Sequence, residues 1–302
     1  MPKESKHLNS VEKDHIVQSR PNIPADYHCD CEYCRGGKFI GEIFNNDVNK
    51  YYSNRIRKTY YLDKAGDHLD AGHIIGYRFA MQQLTQPEDW VFDPTAGTGT
   101  AIVEAINNGR KGAGIELEYP NVGIRNIEGQ KSHMSYRFKQ GNAIFADDIL
   151  DDWGFKEGDL SLIINGTPYP KLSGRSSDAP ERKNLKTKED KSFDYNHEEN
   201  IGITKGDEYW DLVTTMYNKS VKYLKSGGYL VIIIKDMVQN KAPYLLHKMI
   251  TDTILETNDT MEHYGMFMHK HVPTTMFINT YMKRFPDVRI PLYQTGIILK
   301  KK

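Results

Sequence analysis

A chain of 302 residues with 38% apolar side chains is long enough for one large α/β domain, or for one domain with a small appendage. No apolar run reaches the roughly 20 residues of a membrane span, and the charged start Pro2-Lys3-Glu4-Ser5-Lys6 does not read as a secretory signal, so a cytoplasmic protein with no membrane partner is expected. The 40 basic and 40 acidic side chains cancel, which weighs against a nucleic-acid partner without deciding the matter, because a basic face can be offset by acid elsewhere.

Residues 1 to about 27 are polar and aperiodic, and read as an arm. All three cysteines follow in His28-Cys29-Asp30-Cys31-Glu32-Tyr33-Cys34. An odd number of thiols in a cytosolic chain argues against a disulfide framework. Cys29, Cys31, Cys34 and the adjacent His28 form the inventory of a tetrahedral site for zinc or another thiophilic metal; the tight spacing also suits reduced cysteines in a turn. Gly36-Gly37 marks a turn. Tyr51 to Tyr61 mixes aromatic rings with Arg55, Arg57 and Lys58, as either a nucleic-acid surface or a half-buried hairpin would. Residues 1–50 are therefore expected to be an N-terminal arm carrying the Cys/His cluster, ahead of a main domain over 51–302.

From residue 73 the pattern alternates between helix and strand. A helix over Ile74 to Leu84 leads to a buried strand, Trp90 to Asp93. After a glycine turn, Ala101, Ile102, Ala105 and Ile106 recur at helical spacing, and Gly109 suits the helix end. Gly114-Ile115-Glu116, Tyr136 to Gln140 and Leu160 to Asn165 read as three further strands. The stretch from 171 to about 205 is dense in Lys, Glu, Asp and Ser and is expected to be an inserted polar loop or lid. A helix is expected over Asp207 to Leu224, with Val213, Met216, Tyr217 and Leu224 facing inward. Lys225-Ser-Gly-Gly228 should end it before Tyr229 to Lys235, the most strand-like segment of the chain. A helix near Tyr244 to Leu255 and strands around Met266 and over Gln294 to Leu299 complete the pattern. Such alternation implies a mostly parallel sheet with helices on both faces.

The turn Asp93-Pro94-Thr95-Ala96-Gly97-Thr98-Gly99-Thr100 puts glycines where a backbone must approach a ligand closely, just before a helix that offers free amides. A dinucleotide fingerprint would need a glycine where Ile102 stands, and a phosphate loop would need a lysine after Gly99. What remains is an acid ahead of the glycines and Glu116 at the end of the next strand. This pattern suits an S-adenosylmethionine site, in which Asp93 could face the amino-acid part of the cofactor and Glu116 could accept the ribose hydroxyls; an aspartate at a strand end also serves as a helix cap.

Val91 to Thr100 resembles the Asp-Pro-Phe-x-Gly-Ser-Gly-Thr motif of the DNA amino-methyltransferases, which methylate cytosine at N4 or adenine at N6. Gly114-Ile115-Glu116 resembles the ribose-binding strand of that family, and Gly72-His73-Ile74 the short element that encloses the methionine end. Gly141-Asn142-Ala143 falls where the family tends to carry an aspartate for the adenine ring. The resemblance covers about residues 52 to 300 apart from the polar loop. It implies a Rossmann-like class I methyltransferase fold with a mostly parallel seven-stranded sheet. It also implies a cofactor site of His73, Asp93, Pro94, Thr95, Ala96, Gly97, Gly99, Thr100, Glu116 and Asn142.

The family's second signature, Asp/Asn/Ser-Pro-Pro-Tyr/Phe, resembles Asn165-Gly166-Thr167-Pro168-Tyr169 at the end of the fourth strand. An exocyclic amine is a weak nucleophile because its lone pair is delocalised into the ring, and the motif binds that amine while its aromatic residue stacks on the extruded base. Pro168 and Tyr169 match position for position. Thr167 replaces the first proline and Gly166 stands where the polar acceptor belongs, so the acceptor is Asn165, Thr167 or the backbone. Three readings follow: methylation of a DNA base amine, methylation of an RNA base amine, or a nucleic-acid-binding protein that keeps the fold without the activity. The stretch near Tyr51, residues 171–205, and His269, Lys270 and His271 are the candidate contacts to nucleic acid.

Overall fold

A computed structural model describes residues 29, 31–43, 74–170, 197–239, 242–270 and 293–302. His28, Tyr51 to Tyr61, His73, 171–196 and His271 lie outside the described residues.

Helix α1 (Glu32–Gly36) and strand β1 (Lys38–Ile43) come first, followed by α2 (Ile74–Leu84), β2 (Trp90–Asp93), α3 (Thr100–Asn107), β3 (Lys111–Glu116), α4 (Pro120–Glu128) and β4 (Tyr136–Gln140). Next are α5 (Ala146–Asp152), β5 (Leu160–Asn165), α6 (Gly206–Val221) and β6 (Leu224–Lys235). A small hairpin of β7 (Met237–Gln239) and β8 (Ala242–Tyr244) precedes α7 (Leu246–Thr257), β9 (Met261–Lys270) and β10 (Tyr293–Lys301).

The main sheet runs β1-β9-β10-β6-β5-β2-β3-β4. Only β10 is antiparallel to its neighbours; every other pairing in that sheet is parallel. Seven of these strands, with one antiparallel strand wedged between β6 and β9, give the Rossmann-like class I methyltransferase arrangement. The eighth corrects the expected count of seven. By sequence residues 38–43 fall in the expected arm, yet β1 pairs in parallel with β9, Lys38 opposite Gly265 and Ile43 opposite His269. A six-residue segment with a central glycine carries no local alternation that would announce such a pairing.

Successive side chains of a strand point to opposite faces, and both faces of this sheet are covered. On β6, Leu230, Ile232 and Ile234 join a core with Val213, Met216 and Tyr217 of α6 and Ile250 and Ile254 of α7. Val231 and Ile233 join the opposite core, with Phe79 and Met81 of α2 and Ile102 and Val103 of α3. The buried pair Arg78 to Glu104, at 2.8 Å, ties α2 to α3. The helix expected to reach Leu224 stops at Val221, and Leu224 already belongs to β6. The expected stop signal Lys225-Ser-Gly-Gly228 is instead absorbed within the strand, where the register slips between Leu160 and Leu162. Gly227 takes a φ of +77° there, which a glycine tolerates at little cost.

The strand order reverses between β2 and its two neighbours, β3 and β5. In open α/β sheets, ligands bind beyond the carboxyl ends of the strands at such a point. Asp93, Glu116, Gln140, Asn165 and Lys235 are the last residues of β2, β3, β4, β5 and β6.

Candidate active site

The turn after β2 folds as its sequence dictates. Gly97 and Gly99 have φ of +52° and +75°, left-handed values that cost another residue about 1–2 kcal/mol. A side chain on Gly97 would meet only open space, whereas one on Gly99 would press on Ile127 and Gly123 at 3.2–3.3 Å. Gly99 caps α3, and its carbonyl accepts from the Val103 amide at 2.9 Å. Pro94, Ala96 and Thr100 are buried, and the Ala96 amide donates to the carbonyl of Ile115 on β3 at 2.8 Å. Gly114 lets this turn lie against β3, since a Cβ there would fall 2.9 Å from that of Ala96.

Both expected acids lie at this turn. Glu116 accepts from the Gly97 amide at 2.8 Å through one oxygen, and from the amides of Glu118 and Tyr119 at 3.0 and 3.2 Å through the other. Asp93 accepts from the Thr95 amide at 3.0 Å. Burial pushes its carboxyl well above the usual carboxylate range; the Thr95 amide opposes that and the charge of Glu116 adds to it. Beyond β4, Asn142 is buried and its Oδ1 accepts from the Ile144 amide at 3.1 Å. Among the described residues its Nδ2 has no hydrogen-bond partner. His73 lies outside the described residues, so its expected place beside this loop carries no geometry.

The second motif is joined to the first by side chains. Asn165 donates from Nδ2 to Thr95 Oγ1 at 2.9 Å and accepts at Oδ1 from the Tyr217 hydroxyl at 2.7 Å. Tyr217 also pairs with Thr167 Oγ1. Asn165 and Thr167 are fully buried, so neither side chain faces outward; Gly166 is exposed, and Pro168 and Tyr169 are half-buried. The Gly166 amide donates to the Tyr77 hydroxyl at 3.0 Å, and the Pro168 carbonyl accepts from Tyr209 at 2.7 Å. The Tyr169 hydroxyl accepts from the Lys235 amide at 2.9 Å. Burial raises the hydroxyls of Tyr217 and Tyr209 and lowers the Lys235 ammonium, so the two phenols stay neutral donors. Of the three acceptors the sequence leaves open, the two side chains are engaged inward. The backbone at Gly166 is the exposed one.

Sequence reasoning missed Tyr77, Tyr209 and Tyr217. Tyr217 appears there only as an inward residue of a helix, because a buried phenol gives no sign of which distant group it meets. The polar segment also ends differently from expectation. Residues 197–205 return to the site, with Ile201 buried, the Gly202 amide donating to Asn200 Oδ1 at 2.7 Å, and Asn200 paired with Glu118. His269, expected to meet phosphate, is buried within β9.

A second cluster lies beyond β6. Cys29, Cys31 and Cys34 converge on His247 of α7, with all four donor atoms within 4.8 Å of one another. The sequence pairs the cysteines with His28, which lies outside the described residues; His247 is 213 residues from Cys34 in the chain. Its Nδ1 meets Asp236 Oδ2 at 2.6 Å.

The sheet order and the glycine turn at its switch point define a class I methyltransferase scaffold. Among solved structures the chain is similar to a methyltransferase from Pyrococcus furiosus (13% identity, 85% of this chain and 98% of that one, TM-score 0.48). It is also similar to a putative rRNA-methylase from Clostridium thermocellum (12% identity, 78% of this chain and 100% of that one, TM-score 0.45) and to P. horikoshii TYW2 in complex with MeSAdo (12% identity, 80% of this chain and 67% of that one, TM-score 0.42). No protein-family model and no curated protein matches the sequence.

Proposed function

We propose that this chain is an S-adenosylmethionine-dependent methyltransferase acting on an exocyclic amine of a DNA base, cytosine N4 or adenine N6. The observation that carries the reading is the 2.9 Å bond from Asn165 to Thr95, which locks the amine-binding motif to the cofactor turn. Two reactants held side by side need no covalent nucleophile, because positioning supplies much of the barrier reduction.

The residues present fit the cofactor. Among the described residues Asn142 Nδ2 is a buried donor with no partner, as an adenine ring nitrogen would require. Open space over Gly97 admits a close approach, and Glu116 keeps one lone pair, on the oxygen that takes the Gly97 amide, for a ribose hydroxyl. Asp93 faces the cationic methionine end, where its carboxylate form becomes favourable. S-adenosylmethionine supplies an electrophilic methyl group on a sulfonium.

The chain's own residues do the rest. Asn165, Thr167 and Tyr217 hold the motif rigid from below. The Gly166 carbonyl accepts from the target amine and draws its lone pair out of conjugation, Tyr169 presents its ring to the extruded base, and Tyr77 and Tyr209 fix the peptide units on either side.

The test is incubation of purified protein with tritiated S-adenosylmethionine and separate DNA and RNA pools. Label in DNA, lost in Tyr169→Ala with cofactor affinity kept, supports the proposal. Label confined to RNA overturns the DNA assignment. Cofactor binding with label in neither pool favours a nucleic-acid binder that has lost the activity.

A further inference from the structure

We propose that Cys29, Cys31, Cys34 and His247 form a closed structural zinc site, oriented by Asp236, that fastens the segment before β1 to the end of β6. The inference is independent of the reaction proposed above.

Cys31, Cys34 and His247 form one face of a coordination tetrahedron, with Cys29 Sγ within 4.8 Å of each of them. Donors about 2.3 Å (sulfur) and about 2.0 Å (nitrogen) from a shared zinc stand about 3.8 Å apart for two sulfurs and about 3.5 Å for a sulfur and a nitrogen. Cys31 Sγ lies 3.6 Å from Cys34 Sγ and 3.7 Å from His247 Nε2, and Cys34 Sγ lies 3.4 Å from the same nitrogen. Three separate edges therefore agree to within a few tenths of an ångström. Free cysteines that serve only as small hydrophobes have no reason to converge on one imidazole nitrogen.

The surroundings prepare the histidine for this role. Asp236 takes His247 Nδ1 at 2.6 Å and the His247 amide at 3.1 Å, and both side chains are fully buried. With Nδ1 bound as a donor to the carboxylate, Nε2 keeps its lone pair and points at the sulfurs. A carboxylate behind a ligating histidine fixes the tautomer and raises its basicity. Three thiolates with one imidazole select a soft, tetrahedral ion, and four protein ligands leave no open position for a substrate. The site is thus structural.

Its position gives it a consequence. Asp236 follows Lys235, whose amide holds the Tyr169 hydroxyl, and His247 is the second residue of α7. The metal joins this corner to α1, which leads directly into β1 at the sheet edge.

Elemental analysis of protein purified under reducing conditions, without a metal-affinity step, should find about one zinc per chain. Replacement by Co(II) should give the intense visible bands of a tetrahedral thiolate site. Cys34→Ser and His247→Ala should each lose the metal, while His28→Ala keeps it. Asp236→Asn should keep the stoichiometry but weaken affinity by about 10- to 100-fold in competition with a chelator. If the His247 or Cys34 variant fails to fold, the wild-type zinc content and cobalt spectrum still decide. Less than about a tenth of a zinc per chain together with a cobalt spectrum of octahedral type would overturn the proposal, as would loss of metal in His28→Ala with retention in His247→Ala.

Discussion

Tyr217→Phe isolates the hydroxyl that joins the two motifs. The ring stays in the core formed by α6, so packing is kept and only one oxygen is removed. In the native chain that oxygen donates to Asn165 Oδ1 at 2.7 Å and pairs with Thr167 Oγ1, all three groups being buried. Deleting it strands two polar groups, and leaving a buried polar group unsatisfied costs about 1–3 kcal/mol each. Part of that returns because the Thr167 hydroxyl can rotate toward another acceptor, so we expect a net loss of about 2–3 kcal/mol in urea unfolding. Thr167→Val in the Tyr217→Phe background should cost less than the sum of the two single changes, with a coupling of about 1–2 kcal/mol. Asn165 would still reach Thr95 but without its second anchor. Methyl transfer should therefore fall about tenfold while cofactor affinity changes less than about twofold, since misplacement acts on the reacting geometry. A stability loss below about 0.5 kcal/mol, or strictly additive changes, would refute the view that this hydroxyl network sets the site.

Other consequences can be checked alongside. Gly97→Ala should destabilise the protein by only about 1–2 kcal/mol, the left-handed penalty, because its Cβ meets open space, yet it should weaken cofactor binding by more than tenfold. Equal effects on stability and binding would count against a ligand over Gly97. The raised carboxyl of Asp93 predicts a proton linkage. A folded-state pKa above the unfolded value means that Asp93 contributes its stability below about pH 3.9, and that this is lost as pH rises through the raised value. Asp93→Asn should thus stabilise the cofactor-free protein at neutral pH. Binding of the cationic cofactor should lower the carboxyl again and release a proton between those two values. Calorimetry in two buffers of different ionisation enthalpy measures that release, which Asp93→Asn should abolish; no release in the wild type means that Asp93 does not face the cation. Removing the zinc proposed above should lower thermal stability, and affinity for the metal should fall as pH drops and the thiols take up protons.

Several features were legible in the sequence because their causes are local. The glycines at 97 and 99 declare a left-handed turn wherever the chain is placed, and the apolar run of Leu160 to Ile164 declares a strand buried on both faces. Asp93, Glu116 and Asn165 could be placed at strand ends by the same reading, and strand ends gather on one edge in any parallel sheet. Other features depended on chain closure. β1 is a strand because β9, more than 200 residues later, offers it an unpaired edge, and no periodicity within Lys38 to Ile43 carries that information. His247 joins the cysteines, and Tyr217 joins Asn165 and Thr167, because α6 and α7 pack on one face of the sheet and bring those side chains to β5 and to the end of β6. Helical period and turn chemistry are properties of neighbouring residues and survive in a one-dimensional string. The partner of a buried hydroxyl or thiol is set by how elements stack in space, and that was decided only by the tertiary structure.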